Sequence, residues 1–357
     1  MLSIFELIKF RRAYTRRKLT NKDLKSKLKV RQPKAIAVND SIAKELFGGG
    51  ISLKWSKFYN SFSNQYSPYY IPDNLYYGVI DMFYNDYRKC LVIDDKNLYD
   101  LLFHDIRVPQ TIIRKTNGVL MDNSYQLIDE STLSEITRDS GSLIIKKATA
   151  SEGGKNIYFW NNNDSVESLK SILNRVTDCV VQKLIDQHES LRYLHKDSVN
   201  TIRIITWNRG NKIIPLSAVV RMGINGNKVD NASSGGIFCG LNWDGSLKDK
   251  AYNTCGEEFL QHPQGAVFKG HVIPFFDKCV ELVINAAPRL SKFSKLTSWD
   301  LTIGTDSEPI LIEANLAYGE LDFHQITNGP LFGKYTEEML KEVFSSRKNR
   351  VFKKILN

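Results

Sequence analysis

From about residue 107 onward, apolar and polar positions alternate over short spans, and the apolar runs are rich in β-branched residues. They are TIIR (111–114), SLIIKK (142–147), NIYFW (156–160), CVVQK (179–183), NTIRIITW (200–207), IIPLSAVVRMGI (213–224), SWDLTI (298–303) and PILIEA (309–314). Gly, Asn and Asp bound these runs, as expected of strands ended by turns. Helical periodicity falls near 165–175, 274–287 and 335–346. In the second of these, Phe276, Val280, Val283, Ile284 and Ala287 recur at helical spacing and predict one buried face. Strands in runs with helices inserted predict an α+β architecture rather than a regular doubly wound sheet. Residues 1–90 read mostly as helix joined by aromatic-rich connections (Trp55, Phe58, Tyr59, Tyr70, Tyr76 among them), with no strand–glycine–helix unit.

Composition changes this picture in one place. The 357 residues hold 49 Lys+Arg against 39 Asp+Glu, a formal charge of +10. Residues 1–35 account for all of it, with twelve basic side chains against two acidic ones, which leaves 37 of each sign for residues 36–357. A nucleic-acid-binding domain is expected to spread basic residues over a folded face, so no nucleic-acid partner is expected. Met1, Ile4, Phe5 and Ile8 fall at helical spacing and are followed by Arg11, Arg12, Arg16, Arg17 and Lys18. That pattern suits peripheral contact of residues 1–18 with an anionic bilayer surface. No apolar run approaches the roughly 18–20 residues of a membrane span, and the N-terminus reverses the order of a secretory signal. Five cysteines, odd in number and never in Cys-x-x-Cys spacing, fit a reducing cytoplasm better than a disulfide framework or zinc site.

The sharpest chemistry lies in SWDLTIGTDSEPILIEAN, residues 298–315. Two β-rich runs flank a Gly-Thr-Asp-Ser-Glu turn, a hairpin signature. A four-residue loop from Thr305 to Glu308 sets Asp300 opposite Glu313, with Asn315 on the same face two residues on. Leu301, Ile303, Ile310 and Ile312 are then expected on the opposite, buried face. Two carboxylates set across a strand pair repel each other, so a cation is expected to offset them. Mg2+, which takes one or two carboxylates plus phosphate oxygens, suits the set.

A second segment, SLIIKKATASEGGKNIYFW, reads as strand, glycine loop and strand. Gly153 and Gly154 permit φ > 0, letting backbone N–H groups converge on an anion, and Lys146 or Lys147 can place a charge on a phosphate. A plain β-hairpin with a Ser-Glu-Gly-Gly turn reads equally well. The spacing is not that of a P-loop.

Taken in order, IKKATASEGGKNI, VVQKLI, SVNTIRIITW, VVRMG with NASSGGIF, HPQGAVFKGHVIPFF, SWDLTIG and LIEANLAYGELDFHQ resemble the ATP-grasp superfamily over roughly residues 90–330. More narrowly they are similar to its sugar-transfer-associated group, found with polysaccharide biosynthesis. The resemblance implies an ATP-grasp fold, two α+β subdomains clamping ATP. Residues 1–90 then form a basic, mostly helical N-terminal region, 91–182 a lid-containing subdomain, 183–346 a catalytic subdomain and 347–357 a basic tail. It implies ATP and Mg2+ as cofactors, with Asp300, Glu313 and Asn315 matching the metal ligands. Lys96 and Lys146 match phosphate-binding lysines, Gly153 and Gly154 a flap, and Gln182, Lys183 and Ile185 an adenine hinge. Glu189 is the candidate for the ribose, with His188 competing for that place.

The activity so implied is carboxylate–amine ligation through an acyl phosphate on small-molecule or sugar-linked substrates, in surface-polysaccharide assembly. The alternative is a kinase acting on a sugar or polyol hydroxyl. Such chemistry needs positioned cations more than a nucleophilic side chain. Arg203 and Arg221, on predicted strands and distant in sequence from acids, are candidates for holding the transferred phosphate, although an arginine paired across the sheet would read the same way. Asn231, with Gly235 and Gly236, is the candidate for the acceptor pocket, and Asp322 and Gln325 for orienting substrate.

Overall fold

The structure is a computed structural model and describes residues 20, 22–28, 46–47, 53–138, 140–149, 157–230 and 235–345. The arm of residues 1–18, Gly153, Gly154, Asn231 and the basic tail lie outside the described residues. Among the described residues no helix is long and apolar enough to cross a membrane.

Two antiparallel sheets carry the fold. The smaller contains β1 (Thr111–Thr116), β2 (Val119–Asp122), β3 (Leu143–Lys147), β4 (Ile157–Trp160) and β5 (Cys179–Lys183), in the order β2-β1-β5-β3-β4. After α3 (Tyr87–Ile93) and α4 (Tyr99–Leu102), helices α5 (Glu130–Arg138) and α6 (Val166–Arg175) cover one face. Ser165 starts α6 by accepting the Ser168 N–H on its hydroxyl, which satisfies one of the otherwise orphaned N–H groups of the first turn. Leu169 and Leu173, four residues apart, then face Leu143, Ile145, Trp160 and Val181 in a dry core.

The larger sheet has seven strands in the order β10-β9-β8-β7-β6-β11-β12. They are β6 (Thr201–Asn208), β7 (Ile213–Met222), β8 (Ile237–Leu241), β9 (Leu247–Tyr252), β10 (Glu258–Phe259), β11 (Leu296–Ile303) and β12 (Pro309–Asn315). The two-residue period of a strand splits its side chains between two cores. Ile202, Ile204, Val220, Trp299 and Leu301 face α8 (Phe276–Ala286). Ile205 and Trp207 face the other way, onto α2 (a helical run over 73–84) and α10 (Thr336–Phe344). On that second face α9 (Leu321–Asn328) crosses β7, β8 and β9. Gly240 permits the crossing, because a Cβ there would lie 2.4 Å from Asn328 Oδ1.

Beside α9 sits an aromatic block supplied by α1 (Leu53–Asn60) and the segment after it. Trp55 stacks on Tyr59 and Tyr59 on Tyr70, while Phe238 stacks on Phe323 with centroids 4.1 Å apart; Ile326 belongs to the same cluster. These rings account for the aromatic texture of residues 53–80. From the helix over 22–28, Lys27 reaches into the same region, its side chain 3% exposed, and pairs with Asp322 at 2.7 Å and Asp23 at 3.1 Å.

Two expectations need correction. Asp300 does face Glu313, but a bulge between Asp300 and Leu301 shifts the outer pairs to Leu301–Leu311, Thr302–Ile310 and Ile303–Pro309. Leu311 therefore joins Leu301 in the core, while Ile312 is squeezed out to line the cavity beside Glu313. The buried face of α8 is Phe276, Cys279, Val283 and Ala286, with Val280 and Ile284 only half-buried and buried Ala287 in the 3-10 turn that follows.

Candidate functional site

Between the two sheets lies a cavity of about 830 Å3. The small sheet contributes Leu143, Ile144, Lys146, Ile157 and Phe159, and the large one Thr201, Arg203, Arg221, Asp300, Glu313 and Asn315. The linker Lys183–Gln187 forms one edge. Its geometry is fixed by backbone bonds: Lys183 N–H donates to Gln110 O and Leu184 N–H to Ser142 O. Further on, His188 N–H donates to Ile303 O at 2.7 Å, which ties this edge to the turn end of the β11–β12 hairpin.

The hairpin brings Asp300, Glu313 and Asn315 together as expected, and cations do compensate them. Arg203, directly across from Asp300 in the β6–β11 register, donates from Nε and Nη2 to its two oxygens at 2.6 Å each, and from Nη1 to Glu320. Arg221 Nη1 adds a contact to Asp300 at 3.4 Å. Burial alone would push the Asp300 carboxyl up, but Arg203 and then Arg221 hold it below its ordinary value. Both arginines are thus paired across the sheet and also line the cavity.

Lys96 sits on a 3-10 turn, Lys96–Leu98. Its backbone N–H bonds to Ala148 O, just past β3, and buried Arg114 donates to Asn97 O within the turn. Lys96 Nζ reaches Glu313 at 2.8 Å, and this partner holds it above its ordinary pKa against the pull of burial. Lys146 is different. It lies half-buried in the cavity wall, and among the described residues no carboxylate lies within ion-pair distance of it. Burial first, and the nearby Lys96 second, depress its pKa to about 8. A partly desolvated cation facing a cavity in this way suits an anionic ligand.

Other expectations are not met. Glu189 lies exposed on the first turn of α7 (Glu189–Leu194) and does not line the cavity; Asp186, three residues earlier, does. His188 caps that helix, accepting the Ser190 N–H on its ring. Gln182 is buried within β5, paired to Thr111 and Ile144, and is also off the cavity, whereas Lys183 and Ile185 line it. Asp322 is taken up by Lys27, and Gln325 is bonded at both ends of its amide to the Ile71 backbone, so neither orients a ligand.

Sequence reasoning passed over Glu320, although it stands five residues beyond Asn315 in the same motif. It also passed over Tyr87 and Tyr318, which line the cavity as an aromatic pair with centroids 4.9 Å apart. The HPQG stretch acts from behind the wall. His262 Nε2–H donates to Gly223 O at 2.7 Å, and Gln264 donates to Asp197, a cavity residue, at 3.1 Å.

The residues present fit a nucleotide with a divalent cation. Two carboxylates and an amide oxygen on one hairpin are hard donors, and Lys146, with no carboxylate partner among the described residues, can hold a phosphate. Among the described residues no three His, Cys, Asp or Glu side chains form a metal cage. A cation held here would therefore complete its shell with ligand oxygens.

A family model for sugar-transfer-associated ATP-grasp proteins matches residues 80–339. No curated protein matches the sequence. Among solved structures, the chain is similar to D-alanyl-alanine synthetase A from Vibrio cholerae O1 biovar eltor (13% identity, TM-score 0.37, 70% of this chain and 62% of that one). It is also similar to the ATP-grasp ligase PsnB complexed with a minimal precursor (16%, TM-score 0.42, 72% and 64%). A third is an L-amino acid ligase from Bacillus licheniformis (14%, TM-score 0.41, 70% and 48%). The chain spans less than two thirds of the length of each of these.

Proposed function

The chain belongs to the sugar-transfer-associated ATP-grasp family, and from that premise we propose that it is an ATP-dependent carboxylate–amine ligase using Mg2+. The observation that carries this reading is the convergence of Asp300, Glu313, Asn315, Lys96, Lys146, Arg203 and Arg221 on one inter-sheet cavity. Asp300, Glu313 and Asn315 would hold Mg2+, which when bound supplies charge neutralisation for the phosphates. The backbone of Lys183 and Ile185 faces the adenine, and Asp186 takes the place foreseen for Glu189 near the ribose.

Lys96 and Lys146 hold phosphate oxygens. The substrate carboxylate attacks the γ-phosphorus, forming a C–O–P link as the bond to ADP breaks. Arg203 and Arg221 steady the transferred phosphoryl group and the oxyanion that follows when an amine attacks. In the last step the C–N bond forms and inorganic phosphate leaves. The family description, sugar-transfer-associated ATP-grasp, supports a sugar-linked substrate; an amino acid joined to a sugar acid or aminosugar in surface-polysaccharide assembly is the finer part of the proposal.

The deciding experiment incubates the full chain with ATP, Mg2+ and pools of amino acids, sugar acids and aminosugars. Expected are ADP and phosphate in equal amounts, with a new amide mass. A stable phosphate ester without phosphate release would make the enzyme a kinase instead.

Lys146 gives the reading a pH signature. Below about pH 8 the side chain is protonated and binds phosphate; above it the charge is lost and ATP binding weakens. A lost charge-assisted contact is worth about 1.5–3 kcal/mol, roughly 10- to 100-fold in affinity. The dissociation constant of ATP–Mg2+ should therefore climb by roughly 10- to 30-fold between pH 7 and 9.5, the ceiling set by a pKa of about 8, and Lys146→Arg should flatten the profile. Parallel profiles for both proteins would remove Lys146 from the phosphate site.

A further inference from the structure

Of the acidic side chains lining the cavity, Asp230 alone has a buried carboxylate oxygen, Oδ2, with no hydrogen-bond partner among the described residues. Its nearest cation, Arg221, stands at 3.7 Å, which balances charge without a hydrogen bond. Leaving a buried acceptor unmet costs about 1–3 kcal/mol, more for a charged group, so the position calls for a donor that the described residues do not supply. Asp300 and Glu320 are held by Arg203, and Glu313 by Lys96. Asp230 lies in the same electrostatic neighbourhood, close enough for its charge to act on Lys146 and Arg203.

The loop that presents Asp230 is tightly placed. It leaves β7 at Gly223, where an added Cβ would lie 2.8 Å from Val229 O and 3.0 Å from both His195 Cε1 and Ser198 Oγ. His262 grips the Gly223 carbonyl from behind. Asn227 N–H closes a turn onto Ile224 O, and Lys228 sits over the Phe159 ring on the small sheet, 5.1 Å from its centroid. Asp230 is thus held beside the phosphoryl-handling arginines by packing on its own strand and by a contact reaching the opposite sheet.

We propose that Asp230 is the residue that receives the acceptor amine, binding it as an ammonium ion and taking its proton as it attacks. This rests on the ligase reading above. An ammonium brings both the N–H donor that Oδ2 lacks and the positive charge that a neutral hydroxyl would not. In the step, one ammonium proton passes to the Asp230 carboxylate and the freed nitrogen lone pair forms the C–N bond at the acyl carbon. The C–O bond to phosphate then breaks, with its electron pair leaving on the phosphate. The second nitrogen proton goes to that phosphate, and Asp230 returns its proton to solvent. The selected acceptor is accordingly a primary amine, an aminosugar or amino acid, in preference to the matching alcohol.

The test uses the full chain with ATP, Mg2+ and a carboxylate panel, and sets a panel of aminosugars and amino acids against hydroxylamine. Hydroxylamine is a small nucleophile that traps an acyl phosphate as a hydroxamate without needing an ammonium site. The amide-to-hydroxamate ratio should fall about 100-fold in Asp230→Asn and recover in part in Asp230→Glu, with the KM for the amine raised in the asparagine variant.

An unchanged ratio, or a raised Mg2+ requirement with the amine KM unaltered, overturns the assignment. So does an amine panel that never competes with hydroxylamine in the wild type, or glucose competing as well as glucosamine. Absence of hydroxamate from the wild type with every carboxylate would instead overturn the ligase reading itself.

Discussion

Glu313→Gln is expected to cut ADP formation by on the order of 10²–10³-fold, the usual cost of removing one group that stabilises transition-state charge. Glu313 occupies the position where the β12 bulge turns it into the cavity with Ile312. There it faces Lys96 on one side and the Asp300–Asn315 pair on the other. Glutamine preserves its shape and removes the charge that the proposed Mg2+ site would use. It also leaves Lys96 buried without its counter-ion, so a structural effect must be separated from the chemical one. Two readings do so. The Mg2+ concentration for half-maximal turnover should rise several-fold in Glu313→Gln, and the melting temperature should change far less than in the variant discussed next. ADP formation at the wild-type rate would show that the hairpin does not hold the metal.

Lys27→Met should lower the melting temperature by roughly 10 °C. Removing one partner of a buried ion pair costs about 3–5 kcal/mol, because the other charge stays behind without compensation. In a protein of this size each kcal/mol moves the midpoint by about 2–4 °C. Here the charge left behind is on Asp322, whose side chain is 13% exposed, and Asp73 lies beside it. Burial pushes the Asp73 carboxyl up to about 7, with Lys27 opposing that rise. The double variant Lys27→Met, Asp322→Leu should regain most of the loss, since apolar replacement of a whole buried pair is often neutral. Calorimetric melts of the three proteins decide it; a single variant melting within a degree of the wild type would mean that the pair contributes nothing to the folded body.

What could be read from the sequence follows the range of the forces involved. Strand runs such as CVVQK and SWDLTI, and the facing of Asp300 with Glu313, are local patterns, and the structure reproduces them. The bulge that exchanges Leu311 for Ile312 leaves no trace in the alternation, because both residues are apolar. Strand β9 and the edge strand β10 leave no signal in the sequence, since LKDKAY and EF carry too few apolar residues to show a period. The pairings Arg203–Asp300 and Lys27–Asp322 join residues 97 and 295 positions apart, which no periodicity encodes. Glu189 was misplaced because a helix begins at that point and turns its first residue outward, leaving Asp186 on the cavity side.

The aromatic block beside α9 bears on how this protein could be cut and recombined. The family-matched stretch begins at residue 80, yet Trp55, Phe58, Tyr59 and Tyr70 share one dry core with Phe238, Phe323 and Ile326. A transplant that took only residues 80–339 into another protein would strip α9 of that cover. Because α9 follows directly from Glu320, the partner of Arg203, the damage would reach the inter-sheet cavity. A chimera that exchanges acceptor specificity between relatives must therefore carry residues 53–79 along with the two sheets.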